Sequence, residues 1–128
     1  MIKISLLLIS IFSLLYGLVF SFAPFFFAEL TQAEPTNIAW LRNIGASICG
    51  VLFLGLLFVY RSPSKNYDLF MIITITSILQ TLGLIFSRFY NEFSAQNTFV
   101  IDFTIYSAVF VSLYLTYILL KYKSIFYK

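Results

Sequence analysis

The sequence predicts an all-α integral membrane protein, an antiparallel four-helix transmembrane bundle with both termini in the cytoplasm. Three observations lead there. Residues 4–28, 43–60, 69–87 and 103–120 form four stretches without a charge, each 18 to 25 residues long; about 20 apolar residues cross a hydrocarbon core of about 30 Å. The chain is 61% hydrophobic and 10% charged, with a mean hydropathy of +0.96, whereas a soluble domain carries about 25% charged residues. Almost every ionisable residue lies between or beside the four stretches, so the charges mark the membrane surfaces.

Four spans of about 20 residues take up most of the 128 positions. One domain is therefore expected, with spans near 4–27, 38–60, 68–88 and 98–120. The first resembles a signal peptide in having Lys3 at its start and Ser21-Phe22-Ala23 near its end. Its apolar run, however, exceeds the roughly 7–15 residues of a signal h-region, and Pro24 would follow the cut, so retention as a span is expected. The next connection carries Glu34-Pro35-Thr36-Asn37, in which Pro ends an extended stretch and Thr or Asn can cap a helix. Ser62-Pro63-Ser64-Lys65-Asn66 supplies the turn chemistry of the second connection. In the third, Ser94-Ala95-Gln96-Asn97 leads to Asn97 or Thr98 as the cap of the last span. Connections of this length join sequential helices as antiparallel neighbours. None of the spans alternates with period two, and each is too long for a barrel strand of about 9–11 residues.

Basic residues set the orientation. Lys3, Arg61, Lys65, Lys121, Lys123 and Lys128 fall on the side of the termini and the second connection. Only Arg42 and Arg88 fall on the other, beside Glu29, Glu34, Glu92 and Asp102. Excess Lys and Arg marks the cytoplasmic side. The net charge of +3 is thus a topology signal, and no basic stripe interleaved with aromatics suggests nucleic acid as a partner. Tyr60, Tyr67 and Tyr122 are expected at the inner interface, and Trp40, Phe89 and Tyr90 at the outer one.

In lipid, small residues spaced four apart let helix backbones approach closely. Ser10, Ser13, Gly17 and Ser21 form such a stripe on the first span, within about 80° of arc at 100° per residue, and Pro24 continues it. Asn43, Ser47 and Gly50 form another on the second span, with Ala46 beside them. The two faces are expected to pack together; an interface with another copy or another subunit is the alternative. On the third span Thr74, Ser77, Thr81 and Arg88 share one face, flanked by Gln80. Interior packing is the plain reading of that face, and a water-lined path the sharper one. On the fourth, Asp102, Tyr106, Val109, Leu113 and Thr116 share a face.

Arg42 lies 19 residues before Arg61, Asp102 lies 19 before Lys121, and Arg88 lies 20 after Asp68. At 1.5 Å per residue all three sit about 28–30 Å from the inner charges. A carboxylate at that depth is costly unless it is paired or reaches water, so Asp102 is expected to pair with Arg42 or Arg88. The structural reading is a pair that fixes helix register. The functional reading is a small ligand site, with Arg42 and Arg88 binding an anion, Asp102 as counter-ion, and Asn43, Gln80 and Tyr106 adding hydrogen bonds. With no His and a single cysteine, Cys49, the usual metal and haem ligand sets are missing, and no cofactor or metal is expected. Nor is a nucleophile–base pair or a glycine-rich phosphate loop visible, so independent catalysis is not expected.

Tyr16-Gly17-Leu18 and Ala23-Pro24, followed by Leu41-Arg42-Asn43-Ile44-Gly45, resemble small bacterial four-helix membrane proteins of the DoxX-like kind. There a Gly and a Pro near the end of the first helix precede an Arg-x-x-Gly start to the second. The resemblance implies a four-helix bundle in the bacterial inner membrane, a subunit associated with quinone-linked redox chemistry, with Arg42 at the position of the family's arginine. The leading expectation is a non-catalytic accessory subunit or small-ligand or lipid-binding module. It would sit in the lipid bilayer with a partner membrane subunit or as a homo-oligomer. The alternatives are a component of an oligomeric transporter or channel, and a membrane subunit of a quinone-linked redox complex.

Overall fold

A computed structural model describes residues 2–32, 38–93 and 95–127. Helices dominate, and among the described residues there is no β-strand. Four helices are long and apolar enough to cross a membrane: Ile2–Phe22, Ile38–Arg61, Tyr67–Phe89 and Thr98–Phe126. In the most apolar part of each, only 22% to 28% of residues are buried inside the protein. Leu8, Phe12, Leu79, Phe110 and Leu120 are among the large apolar side chains left exposed. A water-soluble protein rarely exposes contiguous apolar surface on this scale; lipid tails are its natural solvent.

The first span is α1, Ile2–Phe22, and it is shorter than the sequence reading expected. Proline has no N–H to donate and biases the residue before it away from helical geometry. Ala23 accordingly sits at φ −124°, ψ 47°, and Pro24 opens a separate short helix, α2 (Pro24–Thr31), at the position where proline suits a helix best. Gln32 ends α2 in the left-handed region at φ 52°. The expected cap at Glu34-Pro35-Thr36-Asn37 lies outside the described residues.

Within the second span, α3 (Ile38–Ser47) runs into a π-helical segment, Ile48–Leu54, and then into α4 (Gly55–Arg61). A π turn departs from the regular i→i−4 ladder. Buried Ser10 of α1 reaches into this segment, its Oγ donating to the Phe53 carbonyl at 2.9 Å. A tight 3-10 turn, Pro63–Lys65, leads to α5 (Tyr67–Phe89). The Asn66 amide closes the end of α4 by donating to the Phe58 and Ser62 carbonyls at 3.2 and 2.8 Å. The last span is α6 (Thr98–Leu120), extended by α7 (Tyr122–Phe126). Asn97 caps α6 by accepting from the Phe99 N–H at 3.3 Å. It also ties α6 to α2, its own N–H donating to the Thr31 carbonyl at 3.0 Å and its amide to Leu30 at 3.2 Å.

All four spans feed one core: Leu6 from α1, Leu56 and Val59 from α4, Phe70 and Ile73 from α5, and Leu115, Ile118 and Tyr122 from the last span. Tyr122 is a core residue, 1% exposed, with its hydroxyl donating to the Pro63 carbonyl of the second connection at 2.6 Å. Its ring meets Tyr67, Phe70 and Phe126 with centroids 4.7 to 5.2 Å apart.

The small-residue faces need a correction. Gly17 of α1 does meet the second span, but through Gly45 and Cys49. A Cβ added at Gly45 would stand 2.7 Å from the Gly17 carbonyl oxygen, and one added at Gly17 would stand 2.9 Å from that of Gly45. The backbones therefore touch. Gly50, by contrast, has nothing within 4 Å of an added Cβ, and Asn43 and Ser47 are exposed. The expected stripe is turned away from α1 by about 150°, nearly the opposite side of the helix at about 100° per residue.

Candidate functional site

At the end of α5 and the start of α6, Arg88 and Asp102 form a two-pronged pair. Arg88 Nε donates to Oδ1 at 2.7 Å and Nη2 to Oδ2 at 3.3 Å. A planar guanidinium matches a carboxylate in this way and fixes orientation as well as distance. Arg88 also suits its helix end, a cation in the last turn of α5. The Arg88 and Asp102 side chains are 38% and 35% exposed.

Arg42 does not join them. Its Nη1 donates to the Ser21 carbonyl near the end of α1, and among the described residues it pairs with no carboxylate. Pro24 interrupts the helical ladder just beyond Ser21, so carbonyls at the end of α1 need other donors. A cation there also complements the negative end of the helix. Arg42 is therefore a cap joining the first span to the second.

The other candidate residues differ in exposure. Asn43 is exposed, and its carbonyl accepts from Ser47 Oγ at 3.1 Å. Gln80 is half-buried on α5. Tyr106 is 73% exposed and points outward. The two guanidinium groups serve different helices, Arg42 the end of α1 and Arg88 the start of α6. On α6 the packed face differs from the one that Asp102, Tyr106 and Leu113 share. Ile101, Ile105, Ser112, Leu115 and Ile118 are buried, while Tyr106 and Leu113 are exposed and Val109 and Thr116 lie between.

Ser112 is the polar residue that the sequence reading missed. Ser77 Oγ lies 2.8 Å from Ser112 Oγ, and Thr81 Oγ1 lies 2.8 Å from the same atom. Thr81 also donates to the Ala108 carbonyl at 3.3 Å. Thr74 bonds back to Phe70, and Thr116 to Ser112, each within its own helix. The hydroxyl face of α5 is therefore consumed by protein. With the Arg88–Asp102 pair it latches α5 to α6 at successive levels. The signal for it was the pair of small residues Ala108 and Ser112, four apart on α6.

On the first span, Ser13 donates to its own helix at Ile9, 2.8 Å away, and Ser21 supplies the carbonyl that Arg42 caps. Among the described residues no group of three His, Cys, Asp or Glu is placed to hold a metal ion. No protein-family model matches this chain, and neither curated proteins nor solved structures give a match.

Proposed function

We propose that this chain is an accessory subunit of a membrane assembly, without a catalytic centre of its own, and that its second span receives a helix from another membrane chain or a second copy. The carrying observation is the open notch at Gly50, where nothing lies within 4 Å of an added Cβ. Asn43 and Ser47 continue the same exposed face. Lipid tails gain little from such a notch, whereas another helix gains close backbone contact and hydrogen bonds. The π-helical segment containing Gly50 adds support, since departures of this kind often accompany functional surfaces.

The arrangement belonging to this reading is an antiparallel four-helix bundle in the cell membrane, a bacterial inner membrane by the DoxX-like resemblance, with both termini cytoplasmic. The clustering of Lys3, Arg61 and Lys65 around one groove supports that orientation through the usual excess of basic residues inside. Arg42, at the position of the DoxX-like arginine, is engaged with Ser21, which favours a structural role for it. A polar transport path along α5 draws no support from hydroxyls already hydrogen-bonded within the protein.

Photo-crosslinking in the native membrane tests the reading. A crosslinker replacing Ser47 should yield a discrete protein adduct, while one replacing outward-facing Phe110 should yield lipid adducts. Equal lipid labelling from both positions would defeat the proposal.

A further inference from the structure

At the end of the molecule opposite Arg88 and Asp102, a groove of about 410 Å³ is bordered by Lys3, Arg61 and Lys65 and walled by Ile125 and Phe126. A second groove of about 370 Å³ shares Lys3, Ile125 and Phe126 and adds Ile2. The shared residues join the two into one channel, cationic at one end and apolar at the other. Among the described residues none of the three cations forms an ion pair with a carboxylate.

We propose that this channel binds one anionic phospholipid, with its phosphate among Lys3, Arg61 and Lys65 and its glycerol and upper acyl chain along Ile2, Ile125 and Phe126. Three cations from two spans and a turn converge on a volume suited to a small ligand, and basic pockets between membrane helices are suited to anionic headgroups. An apolar wall beside them selects an amphiphile over a free ion. The site is also built. Tyr122 donates to the Pro63 carbonyl, tying the turn that carries Lys65 to the helix that carries Ile125 and Phe126. Both walls are thereby held before any lipid arrives, which lowers the ordering cost of binding.

The test uses the full chain in mild detergent, with melting temperature followed as phosphatidylglycerol, phosphatidylcholine of the same acyl chains, or inorganic phosphate is added. Phosphatidylglycerol should raise the melting temperature saturably, and the other two should not. Each of Lys3→Gln, Arg61→Gln and Lys65→Gln should weaken the apparent affinity about fivefold. Lys121→Gln with Lys123→Gln, which changes two cations that do not line the groove, should leave it within about twofold by the same reckoning. If a single variant does not fold, native mass spectrometry of the remaining two reads the same loss as fewer retained lipids. An equal shift with phosphatidylcholine, or with inorganic phosphate, would overturn the assignment. So would an equal loss in the Lys121/Lys123 variant, because the binding would then follow surface potential alone.

Discussion

At the residue scale, the second span has two glycine-bearing faces with opposite fates. Gly45 lies where no side chain fits, pressed on the Gly17 backbone, while Gly50 faces open space. Gly45→Leu should therefore destabilise the fold by about 1–3 kcal/mol, as overpacking does elsewhere. Gly50→Leu should leave unfolding of the separated chain within about 0.5 kcal/mol, the usual range for substitutions that meet nothing. Thermal unfolding in detergent reads both, and equal losses would mean that the faces are assigned wrongly. The charged residues divide in the same way. Arg88→Gln and Asp102→Asn should each destabilise, and the double variant should recover part of the loss, a small positive coupling for a partly exposed pair. Arg42→Gln should instead add to Asp102→Asn within about 0.5 kcal/mol, because the two act at different helix ends. A strong coupling between Arg42 and Asp102 would contradict the arrangement.

At the scale of elements, the α5–α6 pair depends on Ser112, the hydroxyl shared by Ser77 and Thr81. Ser112→Ala leaves buried Ser77 without its partner and Thr81 with only the Ala108 carbonyl, and should cost about 1 kcal/mol. Thr104→Ala loses only a bond to its own helix, at Val100, and should cost less; the reverse order in thermal unfolding would contradict the latch. The elements also show what the sequence could and could not disclose. The spans were legible because charge is excluded from hydrocarbon, and the cap at Asn97 because its side chain suits a helix start. The break at Pro24 was legible as chemistry, yet it was read as a continuation of the first span because apolar residues persist through Phe27. Faces were harder. In water, the polar side of a helix identifies the buried side by contrast, but α6 is apolar around its whole circumference, so its pattern carried almost no such contrast. On the second span, Asn43, Ser47 and Gly50 form one small-residue stripe, and Gly45 with Cys49 forms another about 150° away. Spacing alone ranks them equally. Equal depth likewise brought Arg42, Arg88 and Asp102 to one level without revealing that Pro24 would claim Arg42 for the end of α1.

At the scale of the whole molecule, the basic groove and the Arg88–Asp102 pair lie at opposite ends of helices long enough to cross a membrane. The proposed orientation has a direct check. In a Cys49→Ser background, an impermeant thiol reagent added outside intact cells should label Ser94→Cys and spare Ser64→Cys; the opposite pattern would invert the topology. In the proposed assembly labour is divided within one span, Gly45 holding the fold together and Gly50 left open for a partner. The most direct test is the mass of the full chain purified in mild detergent, compared between the unaltered protein and Gly50→Leu. The unaltered protein should run at a mass above one chain, through a second copy or a distinct subunit. Gly50→Leu should fall to the mass of one chain while melting at the same temperature as the separated wild-type chain. A wild-type chain that is already solitary in both detergent and lipid nanodiscs, or a Gly50→Leu assembly that stays intact, would contradict the account.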